Sequence, residues 1–186
     1  PAAAWYGLSV ISGRADNPFF HLDSAYAFIQ RADAAYAEGG EKQRKAAAKA
    51  GVGHEDILRQ RDHVFRTGWD IAKGQHSMAA YQHYIDTYLE SPYVAEAVLV
   101  RDHMAFQEAR AINTAEAYRG FLDRYPRAKE AFEARSRLQE AVYREATVGK
   151  DLASYLMFVR QHPESPYVRN AEEEVYRLYT PRRTAD

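Results

Sequence analysis

The chain has no cysteine in 186 residues. That excludes disulfides, thiolate nucleophiles, thiolate metal centres and a lipidated cysteine within it, and leaves the redox compartment open. Net charge is equally scarce: 25 basic residues stand against 26 acidic ones, a formal charge of −1. No overall field recruits nucleic acid or an anionic membrane, so neither is an expected partner. Apolar runs fall far short of the roughly 20 residues of a membrane helix, and no basic-then-apolar signal region opens the chain. A water-soluble segment without membrane insertion is expected. Pro1 stands where an initiator Met would, and the end is the polar tail 181–186. A processed or excised piece of a longer protein is the expectation.

What is present is a globular composition, 46% hydrophobic, 13% aromatic and 27% charged, enough for one ordinary domain or about five stacked helix pairs. The dominant feature is an internal repeat. Tyr81, Tyr118 and Tyr155 are spaced by 37 residues. Trp69, Phe106 and Tyr143 keep the same register, as do Ala72, Ala109 and Ala146. Ser77, Thr114 and Asp151 form a column of residue types that cap helix N-termini by accepting an amide hydrogen bond.

Behind each cap an apolar stripe runs at i, i+3, i+4, i+7: Tyr81, Tyr84, Ile85, Tyr88; then Tyr118, Phe121, Leu122, Tyr125; then Tyr155, Phe158, Val159, His162. This is one face of an α-helix. Proline steps at Ser91-Pro92, Tyr125-Pro126, His162-Pro163 and Ser165-Pro166 end the short helices, and Ser91 and Ser165 read as caps of longer helices that begin at the following proline. Inward positions of these are Ala131, Ala134, Leu138, Ala141 and Val168, Ala171, Val175, Leu178. Upstream, helical periodicity places helices at 2–12, 22–38, 41–50 and 53–73. The fold class is therefore all-α, a solenoid of antiparallel helix pairs with a repeat of about 37 residues, organised as an N-terminal helical segment (1–68), three regular units (69–180) and the tail.

The run from Phe106 to Ala134, with AYRGFLDRYPRAKEAFEA, resembles the tetratricopeptide-type repeats of cell-envelope proteins, in which an aromatic-Pro step leads into SPYxxxA. Ser91-Pro92-Tyr93-Val94 and Ser165-Pro166-Tyr167-Val168 carry that signature. The likeness covers Trp69 to Tyr179, with a longer period than the usual 34 or so and without the glycine of the standard first helix. The opening AWYGLSVISGRADNPFFHLDSAYAFIQRADAAY is similar to the first segment of envelope lipoproteins that carry such repeats ahead of a β-propeller and an OmpA-like peptidoglycan-binding domain, some linked to type IX secretion and gliding. The resemblance implies a bacterial periplasmic or outer-membrane-associated protein.

Sites for chemistry are sparse. The seven histidines include no HExxH, and His54, His63, His76, His83 and His103 do not share ligand spacings with carboxylates on one helical face, so no metal is expected. His162, in the column of Tyr88 and Tyr125, reads as a packing residue. Arg61-Asp62-His63 and Arg101-Asp102-His103 place neighbours about 100° apart on a helix and read as solvated faces. Gly51-Val52-Gly53 and Gly149-Lys150 lack a preceding strand and read as helix caps. Lys42, Arg44, Lys45 and Lys49 read as a solvated basic face. No catalytic residue and no cofactor is assigned. The expected function is a protein or peptide scaffold, with a passive spacer between flanking domains as the alternative and an enzyme as a distant third. Partner specificity then falls to exposed positions, nominated as Arg101, His103, Glu108 and Arg135. Arg101 aligns with apolar Leu138 and Val175, so either the buried stripe shifts to Val98 or Arg101 lines a groove.

Overall fold

The computed structural model describes residues 2–180; Pro1 and the tail expected at 181–186 lie outside the described residues. The described chain is all-helical, with no strand. In order the helices are α1 (Ala2–Ser12), α2 (Leu22–Ala37), α3 (Glu41–Lys49), α4 (His54–Gln75), α5 (Met78–Thr87), α6 (Val94–Ile112), α7 (Ala115–Arg124), α8 (Ala131–Ala146), α9 (Leu152–Gln161) and α10 (Val168–Tyr179). Contacts divide the chain into two compact units, residues 2–101 and 102–180.

In the first unit, α1 packs on α2 and α2 on α4. Ala25, Tyr26, Ile29 and Ala32 of α2 are buried, as are Ile57, Val64, Phe65, Trp69 and Ala72 of α4. Their spacing is the helical stripe that periodicity requires. The rings of Tyr26 and Phe65 lie 5.4 Å apart and those of Trp69 and Tyr84 5.6 Å apart. Tyr84 is almost wholly buried, yet its hydroxyl is satisfied, donating to Phe65 O at 2.9 Å and meeting Ser91 Oγ at 2.6 Å. A buried phenol needs such a partner.

In the second unit, α7 packs on α8 and α9 on α10. Tyr155, Phe158 and Ala171 form a small core, with Val142, Tyr143, Val159 and Val175 packed around it. Leu178 was expected inside and is 39% exposed. The helical stripe continues to the end of α10, but the described chain supplies nothing to cover its last turn.

Short helices begin where the capping column places them. Ser77 Oγ accepts from Ala80 N, Thr114 Oγ1 from Ala117 N and an Asp151 carboxylate oxygen from Ser154 N, at 3.1, 3.2 and 2.7 Å. The long helices depart from expectation. Ser91 and Ser165 are not N-caps: α6 begins at Val94 and α10 at Val168, each two residues beyond its proline. The intervening residues form paired tight turns. Ser91 N donates to Tyr88 O and Val94 N to Ser91 O; Ala128 N to Tyr125 O and Ala131 N to Ala128 O; Ser165 N to His162 O and Val168 N to Ser165 O. Proline at the second position of a turn has its φ preset and no amide to waste, so the turn takes Pro92 and Pro166 before a helix can. The serine hydroxyls accept from Tyr93 N and Tyr167 N, both at 3.2 Å.

Candidate functional site

The connections that orient the short helices share a backbone feature. His76, Asn113 and Lys150, again 37 residues apart, all have positive φ (42°, 54° and 50°). Each lies just before an N-cap. His76 Nδ1 meets Tyr81 Oη at 3.1 Å, and Tyr118 Oη donates to Asn113 Oδ1 at 3.1 Å. In these two copies the left-handed residue ties the tyrosine of the following helix to the turn before it. α4 runs two residues past its expected end at Lys73 because this turn, rather than a glycine, stops it.

In the first unit a cleft of about 340 Å³ opens between α2, α4 and α5. Its floor includes Ala72, Ala80, Tyr84 and Tyr88, with Ile71 at the side and Asp23 and His83 at one end. Gly68 permits the close approach beneath: a Cβ there would sit 2.9 Å from Tyr88 Cε2 and 3.1 Å from Tyr84 Cε2. Tyr88 Oη donates to Asp23 Oδ1 at 2.7 Å, and His83 Nε2 lies 3.1 Å from Asp23 Oδ2. Burial, and then the hydrogen bond to Asp23, push the Tyr88 hydroxyl pKa well above its usual value. Burial likewise raises Tyr84, to about 12. The phenols are therefore neutral donors at physiological pH. His83 Nδ1 and Thr87 Oγ1 are 3.5 Å apart, too far for a hydrogen bond strong enough to activate a hydroxyl. What this end of the cleft offers is an oriented, partly exposed carboxylate beside an apolar floor, suited to a hydrogen-bond donor or a cation.

A stacked aromatic pair recurs once in each unit. Trp69 stacks on Tyr93 with ring centroids 5.9 Å apart, and Tyr143 on Tyr167 at 5.1 Å. In the middle copy of that register the second aromatic is replaced by Glu130. Its side chain is 8% exposed, and its Oε1 takes a hydrogen bond from His103 Nδ1 at 2.9 Å. Gln107 Oε1 accepts from Arg110 Nη1 at 3.4 Å, and Gln107 Nε2 lies 3.2 Å from His103 Nε2. A second cleft of about 460 Å³ is lined by Tyr143, Arg144, Lys150, Tyr155 and Tyr167 among others.

The nominated residues separate on inspection. Arg101, in the first unit, is half-buried and donates from Nη1 to Gln82 Oε1 at 2.7 Å. Ala97 is fully buried on the same helix while Val98 is half-buried, so the buried stripe runs beside Arg101 rather than through it. His103 joins the Glu130 pair, and Glu108 and Arg135 are exposed with no ion pair between them among the described residues. Asp62 and His63 are exposed, whereas Arg61 reaches Asp33 at 3.6 Å and Glu90 at 3.8 Å. His162 packs on Phe158, ring centroids 5.1 Å apart. Periodicity missed Asp23 and Glu130, and weighed His83 only as a histidine without metal-ligand spacing. The only signal for Glu130 was a charged residue in a column otherwise filled by Tyr93 and Tyr167. Among the described residues no group of three or more His, Asp or Glu side chains could hold a metal ion, and no helix is long and apolar enough to cross a membrane. No family model, curated protein or solved structure matches the chain.

Proposed function

We propose that the chain is a non-catalytic protein-interaction module, a tetratricopeptide-like solenoid of helix pairs with a 37-residue unit, belonging to a larger bacterial cell-envelope protein of the periplasm or outer membrane. One observation carries the reading. The hydrogen bonds of the turns and caps recur at Ser77, Thr114 and Asp151, and again at Tyr88, Tyr125 and His162, while columns outside the buried stripe of the same short helices change chemistry. Gln82, Arg119 and Leu156 share one register; His83, Gly120 and Met157 share the next. A constant scaffold with a variable surface is how stacked helical repeats separate folding from recognition. The compartment rests on the sequence resemblance alone.

The test is site-specific photo-crosslinking in the cells that make the protein. A crosslinking residue is placed singly at Gln82, Arg119 or Leu156, with exposed Glu172 of α10 as control. A scaffold gives the same discrete adduct from the first three positions and none from the control. A passive spacer gives no discrete adduct at any of them, and that result overturns the reading.

A further inference from the structure

Helix α3 is an anomaly in the first unit. Of Glu41–Lys49 only Ala47 is buried. Its residues are nearly all strong helix formers, so it holds its shape without burying an apolar stripe. Beneath it, between the first turn of α1 and the last turns of α2, lies a cleft of about 390 Å³. The floor is methyl groups, those of Ala2, Ala3, Ala35, Ala46 and Ala47, with Tyr36 at the side. Arg44 props the helix in place: its guanidinium donates to Tyr36 O at 3.3 Å and Ala37 O at 3.1 Å and lies 5.8 Å from the Tyr36 ring centroid.

The charged residues that line this apolar floor, Lys42 and Arg44, are both basic, and Lys42 and Ala46 also border an adjoining groove that Lys45 and Lys49 line. Lys42, Arg44, Lys45 and Lys49 face a single acid on α3, Glu41, which pairs with Lys45 at 2.6 Å. Lys42 stands at the mouth of the cleft itself. Read from sequence alone this tract is a solvated face; the structure sets Lys42 and Arg44 at a recess that alanines leave unfilled and that a larger side chain could enter, with Lys45 and Lys49 along the groove beside it.

We propose that the cleft under α3 is a docking site for an acidic, amphipathic peptide segment of a partner protein, which seats one or two aliphatic side chains on the alanine floor and lays its carboxylates along Lys42, Lys45 and Lys49. Charge complementarity selects the acidic partner. Recession of the apolar surface between helices selects an inserted side chain over a flat lipid surface, which needs protruding apolar groups. Nucleic acid lacks a platform, because the Tyr36 ring already carries Arg44 and is stacked on His54 at 5.5 Å. The site deepens the interaction-module reading by naming a partner class, yet it shares no residue with the short helices probed by crosslinking, so either can fail alone.

The probe is the synthetic peptide acetyl-Glu-Glu-Leu-Leu-Glu-Glu-amide, titrated into the whole chain carrying labelled alanine methyls, with a lysine-for-glutamate peptide and octanoate as comparisons. The expected result is saturable shifts confined to Ala2, Ala3, Ala35, Ala46 and Ala47. The triple variant K42E/K45E/K49E reverses three exposed charges rather than removing them and should weaken binding by about tenfold. Ala3→Leu, which fills the cleft and leaves every charge, should abolish it while circular dichroism stays unchanged. Absence of those shifts at millimolar peptide, equal binding of the lysine peptide, or shifts produced by octanoate and not by the acidic peptide would each overturn the proposal.

Discussion

Tyr88 and Asp23 are 65 residues apart in sequence and 2.7 Å apart in space, the phenol of the turn after α5 donating to a carboxylate in the first turn of α2. Tyr88 is 2% exposed, so the bond is made at the edge of the core. It closes α2 onto the α4–α5 pair and orients the one carboxylate of the cleft.

Removing only the hydroxyl tests that closure. Tyr88→Phe keeps the ring contacts with Tyr26 and Phe65 but deletes a hydrogen bond to a charged group, for a loss of about 1.5–3 kcal/mol. Urea denaturation measures it. In a double-mutant cycle with Asp23→Asn the coupling should be of the same sign; additive effects would mean that the bond contributes nothing.

Two glycines should respond in opposite directions. Gly68→Ala drives a methyl into the Tyr88 and Tyr84 rings, and overpacking of about 1–3 kcal/mol outweighs the gain of about 1 kcal/mol in helix propensity. Gly120, mid-helix in α7, has no atom within 4 Å of an added Cβ, so Gly120→Ala should stabilise by up to about 1 kcal/mol. Thermal denaturation of both variants checks the contrast. A stabilised Gly68→Ala would show that the rings move aside.

Alkaline pH should unfold the protein through its buried phenols. Tyr84 ionises at about 12 in the folded chain against about 10 when unfolded, and Tyr88 shifts in the same direction. A raised folded pKa means the unfolded chain releases the proton first. The contribution of Tyr84 is therefore fully present below about pH 10 and is lost as pH rises toward 12. Tyrosinate absorbance should reveal a class of the 14 tyrosines that ionises together with the loss of helicity. Titration of every tyrosine while helicity is intact would contradict it.

The tyrosine columns should behave as core. Tyr118 is 1% exposed, and Tyr118→Ala should cost about 3 kcal/mol or more, the range for large aromatic truncations. Wild-type stability in that variant, measured by denaturant midpoint, would make the column a recognition surface instead.

Local rules reached most of the helices and stopped where chain-distant partners decide. Ser77, Thr114 and Asp151 were legible because a cap depends on residues within one turn. Ser91 and Ser165 misled, since a serine before proline suits a turn hydroxyl as well as a helix cap, and only the hydrogen bond to Tyr88 or His162 separates the two. His21 was not a candidate cap, yet its Nδ1 accepts from Ser24 N at 3.1 Å. The left-handed column of His76, Asn113 and Lys150 escaped because three unlike residues share one φ and none is glycine. Of the candidate site, His103 and Arg101 were nominated as exposed groups. Their partners Glu130 and Gln82 lie 27 and 19 residues away, beyond any periodicity.

That left-handed column supplies the sharpest comparison within the molecule. Asn113 lets Tyr118 donate into its own turn, whereas Lys150, at the same register and φ, has no acceptor to offer Tyr155. Asparagine also tolerates the left-handed region better than lysine does. Lys150→Asn should therefore stabilise the second unit by about 0.5–1.5 kcal/mol, combining backbone relief with one hydrogen bond. Lys150→Gly relieves the backbone alone and separates the two contributions. In a Tyr155→Phe background the advantage of asparagine over glycine should vanish, as read by denaturant midpoint. If asparagine and glycine stabilise equally with Tyr155 intact, the tie between the turn and the following helix adds nothing at this hairpin, and the left-handed backbone alone sets the turn.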